Sequence, residues 1–200
     1  MQKFPLARVC QIIEPGPIIL VSTKAGPEAD PNVMTLGFHM MVRHHPPYIA
    51  ITLGPWDYSY QTLKKTKQCV IAVPGVNLGE KVVDIGNCSG KDVDKFHKYG
   101  LTSVEASKVG APLIAECIAN LECRVVDTTL SSKHFLFVLQ VVAAWVDQDL
   151  PEQRTMHHLC DAKFTVDSDD VLDYSVQNTK WQGLLDDDDD DDGDEEDAQF

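Results

Sequence analysis

The sequence predicts a mainly β protein, a closed antiparallel barrel carrying two or three short helical insertions. Three observations point there. At least six runs rich in β-branched, apolar and aromatic residues are bounded by proline, glycine or asparagine, as strands are. Several successive runs are joined by connections short enough for hairpins. Helical periodicity is confined to brief segments between them.

In chain order, PIILVST (17–23) follows the breaker pair Pro15-Gly16 and reads as the first strand. KAGPEADPN is a turn-rich connection. Residues 30–41, DPNVMTLGFHMM, form an apolar run interrupted by Asn32, Thr35, Gly37 and His39. A strand buried on both faces does not need those polar groups, and a surface strand does not need three methionines. Pro46-Pro47 then imposes extended backbone on the entry to a strand at about 48–53. WDYSYQTLKKT is helical, with Asp57 or Ser59 able to cap it, and KQCVIAVP is a strand ended by Pro74. NLGEKVVDIGN predicts a helix in which Asn77 caps, Glu80 completes a capping box, and Leu78, Val82 and Ile85 share one face. SGKDVDKFHKYGL gives a turn and a short helix. ECIANLECRVVDTTL and HFLFVLQVVAAWVD are long β-rich stretches joined by LSSKH as a hairpin; AKFTVDS and DVLDYSV are shorter strands.

Charge divides the chain in two. The formal net charge is −14, but residues 186–197 (DDDDDDDGDEED) hold 11 of the 31 acids and no bases. The remaining 20 acids face 17 bases, a net of −3, with no basic stripe for nucleic acid. Residues 1–180 are therefore read as one domain and 181–200 as an acidic tail that cannot build a core and is expected to be disordered. Asp188, Asp190, Asp192 and Gly193 mimic the start of a calcium loop. Gln199 stands where such a loop needs a bidentate glutamate, and no exit helix follows. No apolar run reaches membrane-spanning length and the start lacks the order of a signal peptide, so a cytoplasmic protein without a membrane partner is expected.

Most familiar chemistries find no foothold. The six cysteines lack any CxxC and sit mostly among apolar neighbours, as packed thiols do. His44-His45 and His157-His158 are adjacent pairs, and neighbours on a strand point to opposite faces. Neither pair therefore offers two ligands to one metal, and one histidine of each is expected to face a cleft. There is no nucleophile elbow, no GxGxxG and no P-loop. What remains is a polar and apolar mixture between residues 32 and 62. Ser59 and Thr62, three apart near a helix start with Lys64 and Lys65 behind, would suit a phosphate; the competing reading is that Ser59 only caps the helix. A backbone edge beside Met and Phe side chains would suit a flat heteroaromatic ring with amide-like edges.

The blocks NVMTLGF, HPPYIAITL, SYQTLKKTKQCVIAVP, IGNCSGKDVDKF and APLIAECIANLECRVVD, in that order, resemble the flavin reductase-like family, and within it the flavoredoxins. The resemblance runs from about residue 15 to 175. It implies an FMN-binding split β-barrel of Greek-key type holding FMN non-covalently, as a homodimer with the flavin near the subunit interface. Carried onto this sequence, it implies that Asn32, Val33, Met34 and Thr35 line the isoalloxazine ring, with Phe38 near the flavin. Thr52 and Gly54 would approach the ring or ribityl chain, Ser59 and Thr62 the phosphate, and Lys95 would help to neutralise it. The chain departs from relatives at HHLCDAKFTVDSDD, where they carry a glycine-rich turn.

The resemblance further implies an oxidoreductase that takes electrons from NADH or NADPH through FMN and passes them to a flavin, a metal complex or a redox protein. No side-chain acid or base is obligatory for that chemistry, in keeping with the missing catalytic constellation. The alternative within the family is a non-enzymatic FMN electron carrier, and outside it a flavin-free scaffold.

Overall fold

A computed structural model describes residues 16–159 and 162–168. Its first strand, β1 (Ile19–Lys24), is buried along nearly its whole length. The period of two sends Ile19 and Val21 into one core and Ile18 and Leu20 into another. That is why PIILVST reads as an unbroken apolar run. The strand has a hydrophobic layer on each side, as strands covered on both faces do.

The single run expected over 30–41 is two strands, β2 (Pro31–Leu36) and β3 (His39–Arg43), separated at Gly37-Phe38. β4 (Tyr48–Thr52) follows, then helix α1 (Ser59–Thr66) and β5 (Gln68–Val73). A 3₁₀ turn (Val76–Leu78) leads into α2 (Gly79–Gly86), and α3 (Lys95–Tyr99) comes after the polar turn. Two-residue strands β6 (Ser103–Val104) and β7 (Leu113–Ile114) pair with each other. The long strands β8 (Ala119–Asp127) and β9 (Leu136–Val146) flank a short helix α4 (Ser131–His134). β10 (Met156–His158) and β11 (Phe164–Val166) make a final small ribbon.

The main sheet has seven strands in the order β2-β1-β5-β8-β9-β4-β3, every neighbour antiparallel. It curls around the first core, where Ile49, Ile51, Ile71, Phe137 and Leu139 meet, and α1 adds Tyr60 and Leu63. Helices α2 and α3 close the second core over the opposite face with Val82, Ile85 and Phe96. β2 and β3 lie at the two ends of the order, so among the described residues the sheet does not close into the barrel that the strand pattern predicts; the half-barrel matches the split-barrel expectation.

The helix ends are closed in different ways. Asp94 caps α3, its Oδ1 accepting from His97 N at 3.1 Å, and Gly100 ends that helix in the left-handed conformation at φ 58°. Neither α1 nor α2 has a side-chain cap. Asp57 instead accepts from Gly54 N at 2.8 Å, and Asn77 is absorbed in the 3₁₀ turn before α2. The hairpin expected around LSSKH is present, since β8 and β9 pair antiparallel, and its connection holds the short helix α4, closed by Phe135 at φ 58°. DVLDYSV and the acidic tail lie outside the described residues. Among the described residues no helix is long and apolar enough to cross a membrane.

One buried carboxylate ties a loop to the sheet. Glu122 on β8 is fully buried and accepts from Ser107 N (2.9 Å), Lys108 N (2.5 Å), Val109 N (3.1 Å), Ser107 Oγ (3.0 Å) and Trp145 Nε1 (2.8 Å). Burial alone would raise its pKa, but these donors outweigh burial and hold it below the ordinary value.

Candidate functional site

Because β2 pairs only with β1 among the described residues, alternate N–H and C=O groups along its other side have no ladder partner there. Three adjoining clefts run beside that free edge. The central one, about 250 Å³, is walled by Asn32, Met34 and Thr35 of β2, Tyr58 before α1, Gly86 at the end of α2 with the turn to Gly90, and Lys95. A second, about 370 Å³, shares Asn32, Tyr58 and Gly90 with it and extends to Thr62 and Lys91. A third, about 400 Å³, shares Thr35, Gly86 and Asn87 and reaches Phe38, His158 and Phe164. Shared walls make them one groove, polar toward Thr62 and apolar toward Phe38.

The strand alternation sorts the β2 residues. Val33 is fully buried in the core under α2, so only its backbone can meet a ligand. Thr35 points the same way and its hydroxyl donates to Val82 O at 2.5 Å. Met34, on the opposite face, packs against the barrel core and still borders the central cleft. Asn32 Nδ2 donates to Ser59 Oγ at 2.8 Å, and Thr23 Oγ1 donates to the same oxygen at 2.9 Å. Asn32 Oδ1 is buried with no hydrogen-bond partner. Space beside it is tight: a Cβ on Gly90 would come within 2.0 Å of that oxygen, so the turn passes close only because residue 90 is glycine.

Lys95 is the second notable group of the cleft. Its residue is only 3% exposed, and its ammonium donates to Ile85 O at 2.8 Å. It has no ion-pair partner among the described residues. An ammonium has three hydrogens to donate. Burial lowers its pKa, an effect that the nearby Cys88 and Asp57 partly offset.

Other expected site residues are placed differently. Ser59 is fully buried at the first turn of α1, its hydroxyl engaged by Thr23 and Asn32 rather than facing the groove. Thr62, one turn on, does border it. Lys64 and Lys65 fall in the last turn of α1, at the end favourable for cations and away from the helix start. Phe38 is 62% exposed at the apolar end. Thr52 and Gly54 wall none of the three clefts. Thr52 N donates to Phe38 O at 3.0 Å and so holds the β2–β3 connection, while Gly54 lies beneath the Trp56 ring.

Of the histidine pairs, His158 borders the apolar cleft with its ring 5.1 Å from that of Phe164. His157 pairs through Nε2 with Asp167 Oδ1 at 2.8 Å. The Thr155 hydroxyl above all, with the Thr155 N–H and His157, holds Asp167 below the ordinary carboxylate value against the opposing effect of burial. His44 and His45 are both exposed in the β3–β4 turn, so neither faces a cleft. No group of three potential metal ligands occurs among the described residues. Sequence reasoning missed Tyr58, Asn87, Cys88 and Gly90; the available signal was the polar, glycine-bearing turn NCSG directly after a helix.

Relatives are found both by sequence and by shape. The chain is 38% identical over 112 residues to an uncharacterized protein of Archaeoglobus fulgidus, a match covering 56% of this chain and 63% of that relative. Its fold superposes on the flavoredoxin of Desulfovibrio vulgaris (Miyazaki F) with TM-score 0.76 at 22% identity, covering 87% of this chain and 97% of the other. It superposes on the FMN-binding domain of a flavin reductases-like enzyme from Shewanella baltica OS155 with TM-score 0.71 at 21% identity, covering 85% and 95%. The family model described as the flavin reductase like domain matches residues 13–163, most of the chain, and the protein belongs to that family.

Proposed function

We propose that this protein binds FMN non-covalently in the groove along β2 and acts as an oxidoreductase. It would draw electrons from NADH or NADPH and pass them to a flavin, a metal complex or a protein acceptor. One observation carries the proposal: the buried ammonium of Lys95, which forms no ion pair among the described residues, shares a cleft with the unpartnered Asn32 Oδ1. FMN offers the complement of each, an anionic phosphate and a heteroaromatic edge bearing an N–H.

The rest of the groove fits such a ligand. It is long, polar at one end and apolar at the other, as an elongated amphiphilic cofactor requires. The start of α1 has no side-chain cap, so its N–H groups can serve an anion together with Thr62. Lys95 neutralises that anion from a buried position, where a charge counts for more than in water. Ser59 and Thr23 hold the Asn32 amide, and the free edge of β2 offers backbone groups to the ring. Met34 and Phe38 give it apolar contact, and Phe38 leaves a face at the groove mouth for the nicotinamide. The bound cofactor supplies hydride acceptance and electron storage; these residues bind it, orient it and exclude water. The FMN-binding proteins among the solved neighbours support the reading.

Titrating ligand-free protein with FMN and then adding NADH or NADPH without oxygen tests it. Saturable binding followed by rapid bleaching of the flavin is expected. Absence of FMN binding overturns the proposal. Bleaching only by a reduced protein partner would replace the reductase by an electron carrier.

A further inference from the structure

The cysteines divide by placement. Cys69, Cys117 and Cys123 are free thiols sealed in the core. Cys69 faces Cys123 across β5 and β8, and burial pushes the Cys117 thiol up to about 12. Cys88 is different: it is half-buried and borders the central cleft. Its Sγ lies 3.9 Å from Ile85 O, the carbonyl that also receives Lys95 Nζ at 2.8 Å, and 3.3 Å from Tyr99 Oη. Thiol and ammonium are therefore neighbours around one oxygen. On the same cleft, Asn32 is 7% exposed with its Oδ1 unpartnered, an independent mark that a ligand is accommodated there.

We propose that Cys88 is a peroxide-sensitive modification site whose oxidation lowers occupancy of the cofactor cleft; the inference rests on the flavin reading above. The oxidant is hydrogen peroxide, the two-electron product of dioxygen wherever reduced flavin meets air. The Cys88 sulfur attacks one peroxide oxygen, forming the S–O bond as the O–O bond breaks. Sulfur loses two electrons, the departing hydroxide takes up the thiol proton, and the products are the sulfenic acid and water. Lys95, donating to the same Ile85 carbonyl that lies 3.9 Å from the sulfur, opposes the negative charge that builds on the leaving oxygen. The added oxygen takes space in a cleft of about 250 Å³ and gives Lys95 an acceptor that competes with the cofactor's anion. The core thiols, without access to the groove, stay inert.

The test uses the full chain carrying Cys10→Ser and Cys160→Ser, so that thiols outside the described residues do not report. Binding of FMN is measured first. The protein is then exposed to hydrogen peroxide and dimedone, with and without FMN, and adducts are assigned by peptide mass spectrometry. Cys88 should trap at least about tenfold more dimedone than Cys69, Cys117 or Cys123, and FMN should suppress that labelling about fivefold or more. Peroxide without dimedone should raise the Kd for FMN about fivefold or more, reversibly with dithiothreitol, and should not do so in a Cys88→Ser variant. Labelling led by a core thiol, or normal FMN binding that leaves Cys88 unprotected, overturns the inference. Failure of the untreated protein to bind FMN is instead failure of the flavin reading, seen before any peroxide is added.

Discussion

Lys95 carries the sharpest expectation at the scale of one residue. The fold penalises its charged form, so its folded pKa lies below the ordinary 10.5. The unfolded chain then binds the proton more tightly, and stability rises as pH climbs from the folded value toward 10.5, falling back as pH drops through the folded value. Lys95→Met gives up one hydrogen bond to Ile85 O and also the cost of burying a charge. At neutral pH the ligand-free protein should change in stability by no more than about 1 kcal/mol, and the alkaline rise should vanish. FMN should bind at least about tenfold more weakly, a loss of about 1.4 kcal/mol, with riboflavin affected less. Denaturation across pH, with titration of both ligands, checks it; a strongly destabilised variant with unchanged FMN affinity contradicts it.

At the scale of elements, the two edge strands and the β8 clip explain how one sheet serves both stability and binding. β8 holds the 107–109 loop through Glu122, whose pKa is kept below the ordinary carboxylate value despite burial. The stability this contributes is complete above the unfolded pKa and is lost as pH falls through the folded one. Glu122→Gln leaves backbone donors facing an amide nitrogen and should cost roughly 3 kcal/mol at neutral pH. Its stability should also fall less steeply in acid than the parent's. Urea denaturation at neutral and acid pH measures both effects, and parallel curves for the two proteins would remove the assigned role. Flavin binding should survive, because Glu122 walls none of the groove.

At the scale of the molecule, the opposite edge strand looks outward. Met40, Met41 and Val42 of β3 are about half exposed or more, and Phe38 stands beside them at the groove mouth. An exposed apolar edge strand invites pairing with another chain. We expect a homodimer that covers β3 and brings a second copy near the apolar end of the groove. Met41→Asp should shift the protein to monomers in sedimentation velocity and weaken FMN binding. A wild-type monomer, or an aspartate variant that stays dimeric, would sink that expectation.

Most strands and their order along the chain were readable in the sequence because burial leaves a period of two. The run at Ile18 to Val21, apolar at every position, recorded a layer on each side. Lys95, Thr62 and the β2 segment were reachable through ordered blocks of family resemblance. Helix caps were not legible: Asp94, left unassigned by the sequence pattern, performs one, whereas Asp57 and Ser59 have other partners and Asn77 lies in the 3₁₀ turn. The break at Gly37-Phe38 and the opening of the sheet between β2 and β3 depend on pairings between residues far apart in the chain. So does the meeting of Asn32 with Ser59, Gly90 and Lys95. Local pattern reports how each segment is buried, while a site at a sheet edge is made by which segments end up beside one another. That is set by packing of the whole chain.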